Sequence, residues 1–263
     1  MRAILFSFMF LISMPLHAFD HSRWSQLLDQ HVTWHRDGVT TSVDYQGFNR
    51  DRDALHTYLE ALSAVPKDEF DTWSKAEQFA FLTNAYNAFT IELILREDIP
   101  SSIRRIGGFF RSPWGIEFFS LLGEDRTLDE VEHEMIRGNP DLMDPRVHFA
   151  VNCASVGCPA LRDSAFTGDD LETQLADSTE RFLRDRQRNR YDASRNRMEV
   201  SKIFDWYEDD FIEASGSLGA YLAQYADALD LDQQTAQRLA NGDITIRFTN
   251  YDWALNTAEN TPQ

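Results

Sequence analysis

The run Thr72-Trp73-Ser74-Lys75-Ala76-Glu77-Gln78-Phe79-Ala80-Phe81-Leu82-Thr83-Asn84-Ala85-Tyr86-Asn87-Ala88-Phe89-Thr90-Ile91-Glu92-Leu93-Ile94-Leu95-Arg96 decides the fold. Phe79, Phe81, Leu82, Tyr86, Phe89, Leu93 and Ile94 surround this segment on most sides when it is wound as a helix. A surface helix carries one apolar stripe, whereas a helix that is apolar nearly all round belongs inside a core. The spacing therefore predicts a central buried helix over Thr72–Arg96. Asn84 and Asn87 interrupt it, and asparagine is a poor helix former. Each needs a reason to be there. Either they bind backbone groups of the irregular Ile103–Leu122 segment, or they serve as an oxyanion donor and a histidine orienter.

Outward from that helix the periodicity alternates between helix and short strand. Helices are expected at Trp24–Trp34, Arg52–Leu62, Thr127–Arg137, Leu171–Arg188, Phe204–Ala214, Leu218–Ala228 and Gln233–Leu239. Thr127 with Glu130 three residues on has the form of a capping box. Strands are expected at Val39–Tyr45, Arg146–Asn152, Met198–Ile203 and Ile244–Phe248. No repeat and no Pro/Gly/Ser-rich linker divides the 263 residues. This is a helix-rich α+β pattern: one domain, with a small, mostly antiparallel sheet packed on the central helix.

Met1-Arg2 precedes the apolar run Ala3 to Met14, and Pro15-Leu16-His17-Ala18 has the character of a processing site. The apolar run falls short of the roughly 20 residues a membrane span requires. Residues 1–18 thus read as a signal peptide, leaving a periplasmic or secreted protein with no stable membrane span. Residues 19–256 form the domain and 257–263 a disordered tail. The formal charge of −18 repels nucleic acid and anionic lipid, so the expected partner is a small molecule or a peptide.

Both cysteines lie in Asp144-Pro145-Arg146-Val147-His148-Phe149-Ala150-Val151-Asn152-Cys153-Ala154-Ser155-Val156-Gly157-Cys158-Pro159. Two readings stand. In an oxidising compartment Cys153 and Cys158 pair as a short structural disulfide. Alternatively one is a nucleophile with His148 as its base. Cys158 is the favoured nucleophile, because the proline after it suits a helix start, where a thiol is acidified. On a strand His148 would face away from Val147, Phe149 and Val151. Glu132 and His133 either reach this site from a facing helix or form a buried polar pair. His31 and His35 have metal-ligand spacing but no third ligand, so neither a metal nor another cofactor is expected. The arginines from Arg181 to Arg197 read as a solvated surface paired with nearby carboxylates.

Read together, spaced segments resemble the DUF547 family. They are Glu77–Ala88, Leu128–Arg137 with Glu132-His133 at its centre, Asp144–Leu161, Phe204–Phe211 and Tyr251-Asp252-Trp253-Ala254-Leu255-Asn256. The resemblance runs from about Trp24 to Asn256 and implies a grouping with papain-like and transglutaminase-like thiol enzymes. It implies catalytic candidates Cys158, His148, Cys153, Glu132, His133, Asn84 and Asn87. Two functions follow from these residues: a thiol-dependent hydrolase or acyl transferase acting on an amide or thioester, or a non-catalytic envelope binding module with a structural disulfide.

Overall fold

In a computed structural model of the chain, residues 19–35, 38–108 and 111–261 are described; the expected signal peptide lies outside them. Helix α1 (Ser22–His31) runs directly into the hairpin β1 (Val32–His35) and β2 (Thr40–Val43). Helices α2 (Tyr45–Arg50) and α3 (Arg52–Ser63) and the single turn α4 (Lys67–Phe70) lead to α5 (Lys75–Arg96). Ser74 sets the start of α5: its hydroxyl accepts from Glu77 N–H while the Glu77 carboxylate accepts from Ser74 N–H. Every residue of α5 from Gln78 to Leu95 is buried, as the all-round apolar pattern requires.

The elements around α5 are short. A second hairpin, β3 (Phe119–Leu121) and β4 (Glu124–Arg126), lays the Phe119 ring on Phe89 with centroids 3.9 Å apart. After the Thr127–Glu130 capping box comes a π-helix at Glu130–Ile136, where an α-helix was expected. Helix α6 (Leu171–Arg184) precedes a three-stranded sheet of β5 (Arg190–Asp192), β6 (Arg197–Val200) and β7 (Thr245–Phe248). Strands β5 and β6 pair antiparallel, β6 and β7 parallel. Between β6 and β7 lie α7 (Ile203–Trp206), α8 (Glu208–Ser215), α9 (Leu218–Ala223) and α10 (Gln233–Ala240). The protein is α+β and helix-rich, and the described residues form three small sheets in place of the single one expected.

The strand expected at Arg146–Asn152 is a 3-10 helix over Pro145–Phe149. Asp144 accepts from Arg146 N–H at 2.8 Å and Pro145 takes the first helical position, where its missing N–H costs nothing. This local start signal outweighs the alternation of valine and phenylalanine. The segment instead joins two apolar clusters. Val147, Ala150 and Val151 pack into the one built on α5, and Phe149 into the one formed by α6, β6, α8 and α9. Residues 257–261, expected as a loose tail, make a turn in which Thr261 N–H donates to Thr257 O at 2.9 Å.

The arginine-rich stretch is paired, as expected. Arg181 bonds Asp177, Arg184 bonds Glu180, and Arg190 and Arg197 share Glu199. His31 and His35 sit on different elements, bonded to Asp51 and Ser42. Among the described residues no helix is long and apolar enough to cross a membrane.

His21 gives a test of the packing beneath α1. It is buried, with Nδ1 2.7 Å from the Tyr58 hydroxyl, and burial lowers its pKa from 6.5 to about 4. An unfolded chain takes up this proton as pH falls below 6.5, whereas the folded chain resists until about 4. The histidine's contribution is therefore complete above pH 6.5 and is lost as pH falls through that window. The loss amounts to about 3 kcal/mol. Urea unfolding of the wild type and His21→Gln between pH 7 and 4 should show the wild type losing that much more stability. Parallel curves would contradict the burial.

Candidate functional site

Four asparagines fix the backbone around the site. Asn87 on α5 donates from Nδ2 to Ala150 O at 3.0 Å and accepts from Asn152 N–H at 2.8 Å. Asn84 holds Phe166 in the same two-handed way, at 2.8 and 3.0 Å. Neither reaches the Ile103–Leu122 segment, and neither lines the pocket described below. Their amides are spent on backbone, so both are positioning residues. Asn152 in turn donates to Pro159 O and accepts from Ala154 N–H. Asn256 donates to Asn152 Oδ1 at 3.3 Å and accepts from the Tyr45 hydroxyl at 2.6 Å.

The closing segment is drawn along the cysteine loop. Val156 N–H donates to Ala254 O and Gly157 N–H to Asp252 O. Gly157 lies so close to Tyr251 that a Cβ there would meet the ring at 2.8 Å. The absence of a side chain at 157 is what lets Tyr251 lie over the loop.

A pocket of about 240 Å³ opens where the two apolar clusters meet. Tyr86 from α5, Asp129, Glu132 and His133 from the π-helix region, His148, Cys153, Trp206, Tyr207, Tyr251 and Trp253 all line it. Four of the expected residues, His148, Cys153, Glu132 and His133, are thus brought together. Cys158 is not among the lining residues. The π-helix presents Glu132 and His133 to one cavity, in keeping with the tendency of such irregular turns to occur at functional sites.

His148 is 2 % exposed. Its Nε2 lies 2.7 Å from Asp210 Oδ2, and its ring stacks on Tyr207 with centroids 3.8 Å apart. Asp210 also takes a two-pronged bond from Arg137, at 2.7 and 3.0 Å. Burial raises the Asp210 carboxyl, but the bonds from His148 and Arg137 outweigh it and hold the pKa far below the ordinary carboxylate range. An ionised Asp210 only accepts, so Nε2 carries the imidazole proton. Burial also lowers His148 below its ordinary 6.5, against the opposing pull of Asp210. At neutral pH the ring is therefore uncharged, with a bare Nδ1. That buried nitrogen has no hydrogen-bond partner in the protein. An oriented, neutral imidazole with a free lone pair is what a general base requires.

Glu132 accepts from the Tyr207 hydroxyl at 2.8 Å, and His133 Nδ1 lies 2.9 Å from Arg137 Nη1. Asp210 is the partner that sequence reading missed. Its signal lay in the Phe204–Phe211 segment, whose spacing from His148 in sequence gave no hint of contact.

Cys153 and Cys158 form a disulfide. The two sulfurs differ in surroundings. Cys153 is partly exposed and lines the pocket, while Cys158 is 2 % exposed. No helix follows Cys158; the chain turns at Ser155–Cys158 and forms no regular element again until α6. Its Sγ instead accepts from Cys153 N–H at 3.1 Å, Ser155 N–H at 3.3 Å and the Tyr251 hydroxyl at 3.2 Å. The same hydroxyl lies 3.0 Å from Cys153 Sγ.

Residues 70–183 match the family described as "Protein of unknown function, DUF547". The chain carries a DUF547 segment. That segment contains α5, the π-helix, His148 and both cysteines, whereas Tyr207, Asp210 and Tyr251 lie beyond its end. The match is narrower than the resemblance read from Trp24 to Asn256. No curated protein and no solved structure matches the chain.

The Asn87 clamp is testable by itself. Asn87→Ala leaves Ala150 O and Asn152 N–H buried without partners, each costing about 1–3 kcal/mol. Chemical denaturation should show a loss of about 3 kcal/mol. A loss below about 1 kcal/mol would mean that the clamp does not hold the site.

Proposed function

We propose that this is an exported thiol-dependent acyl-transfer enzyme, a hydrolase or transferase acting on an amide or thioester. Its resting form is the disulfide, and its nucleophile is Cys153. The observation that carries the reading is His148: buried, neutral, held at Nε2 by Asp210, with an unpartnered Nδ1, on a side chain lining the pocket that Cys153 also lines. The leader at residues 1–18 and the paired thiols both suit an oxidising compartment.

Activation needs a dithiol reductant. Its thiolate attacks Cys153 Sγ, the sulfur open to the pocket, and the Cys153–Cys158 bond breaks with Cys158 leaving as thiolate. Two N–H groups and the Tyr251 hydroxyl are already placed to stabilise that charge. The second thiol of the reductant then attacks the mixed disulfide and releases Cys153. The reductant is oxidised to a disulfide, and the protein gains two thiols. Cys153 next gives its proton to His148 Nδ1, and its sulfur attacks the substrate carbonyl. The departing amine or thiol takes the proton back from the imidazolium, whose charge Asp210 stabilises. Water or an acceptor, deprotonated by His148, releases the acyl group from sulfur.

A second reading is favoured by the disulfide itself: a binding module whose cysteines only staple the loop. One experiment separates the two. The protein is reduced with a dithiol and treated briefly with iodoacetamide across a pH series, and the label is located by peptide mass spectrometry. Cys153 should be labelled first, at a rate that holds through neutral pH and falls on acidification below the ordinary imidazole range, as His148 protonates. His148→Ala and Asp210→Asn should slow neutral-pH labelling by at least tenfold, within the usual range for loss of an acid–base partner. Preferential labelling of Cys158, or rates indifferent to His148, would favour the binding module.

A further inference from the structure

We infer that the pocket takes a ligand ending in an organic cation, a protonated amine or a quaternary ammonium. The inference rests on the proposed function for the choice of pocket, though not for its thiol chemistry.

One wall of the pocket is aromatic. Trp206, Tyr251 and Trp253 pack as a triangle with ring centroids 4.8, 5.6 and 4.5 Å apart. Trp206 is 43 % exposed, the most exposed large apolar side chain among the described residues. Leaving an indole in water at the mouth of a cavity costs free energy that a bound ligand recovers. Aromatic faces carry negative charge in their quadrupole and attract cations. One of these rings already does so: the Arg104 guanidinium sits 5.1 Å from the Trp253 ring centre.

The groups across the pocket have the complementary sign. Asp129 and Glu132 both line it. Glu132 accepts from the Tyr207 hydroxyl, a neutral donor. The ion-pair contact of Asp129 is a distant one, 3.8 Å to His133 Nε2. The Arg137 guanidinium, over the Tyr207 ring, is occupied by Asp210 and His133. His148 is neutral. Burial raises the Asp129 carboxyl, and Glu132 and Glu130 raise it further against the pull of His133, as where carboxylates lie close together.

His148 lines the same pocket with an almost wholly buried side chain, and its unpartnered Nδ1 leaves a polar group there unmet. An anionic ligand would meet two carboxylates. A neutral one would dehydrate them without compensation. A cation with an apolar body satisfies the carboxylates and the indole together. In the proposed reaction, the substrate is then an amide or thioester that carries an ammonium group.

The test uses the oxidised protein, in which no thiol chemistry can occur. Choline and its neutral isostere 3,3-dimethylbutan-1-ol are titrated at constant ionic strength, with tryptophan fluorescence as the readout. Choline should bind at least about tenfold more tightly, and Trp206→Ala and Asp129→Asn should each weaken it about tenfold, the scale expected for loss of a partly desolvated cation–π or charge contact. Both variants alter part-exposed side chains, and near-ultraviolet circular dichroism confirms that they fold. Equal binding of the two compounds, no binding of either, or choline binding indifferent to both substitutions would overturn the inference. Choline preference without Cys153 labelling would leave the ligand class standing and remove the thiol mechanism. Cys153 labelling without choline preference would do the reverse.

Discussion

Asn87 meets the backbone at Ala150 and Asn152 with both atoms of its amide, and the arrangement of the pocket depends on that clamp. A helix buried on all sides has no water to offer a polar side chain, so an asparagine within it must find partners of fixed position. The segment carrying His148 and Cys153 is thereby held at a set distance from α5. From Asn152 the order passes to Pro159 and Ala154, and through Asn256 to Tyr45. Each link is a buried amide whose loss would leave a neighbour unpaired, a condition that favours one geometry over many.

On that frame sits an electrostatic assembly whose parts come from distant stretches of sequence. Arg137 from the turn after the π-helix and His148 from the 3-10 helix converge on Asp210 of α8. Two donors on one carboxylate keep it ionised, and an ionised Asp210 determines which ring nitrogen of His148 holds the proton. The stacked Tyr207 ring and its bond to Glu132 close the other side. Burial then does what no single hydrogen bond does: it keeps the imidazole neutral beside a carboxylate. The disulfide has a matching asymmetry, one sulfur toward the pocket and the other against backbone N–H groups.

Much of the fold was legible because it follows from local patterns. The nearly all-round apolar character of α5, the Thr127–Glu130 cap and the amphipathic spacing of α3 and α6 each depend on residues within a few positions of one another. The failures share a different cause. Alternating apolar residues at Val147, Phe149 and Val151 suggested a strand, but Asp144-Pro145 starts a 3-10 helix, and the alternation instead divides side chains between two clusters. The helix start expected at Cys158-Pro159 is absent: the chain turns at Ser155–Cys158 and no helix follows there. Asp210 was invisible as a partner of His148 because 62 residues separate them and only tertiary packing brings α8 across. The aromatic wall was equally hidden, since Trp206 and Trp253 approach only when the closing segment lies along the cysteine loop.

The central claim is that His148 stands neutral, protonated at Nε2 and bare at Nδ1. Nitrogen-15 spectroscopy of the imidazole rings reads this directly in the native protein, with His148→Gln used to assign the signal. At neutral pH the account predicts a protonated Nε2 coupled across to Asp210 and an Nδ1 with the shift of an unprotonated ring nitrogen. It further predicts that Asp210→Asn disturbs this pattern. A proton on Nδ1, or a fully charged imidazolium at pH 7, would contradict the account.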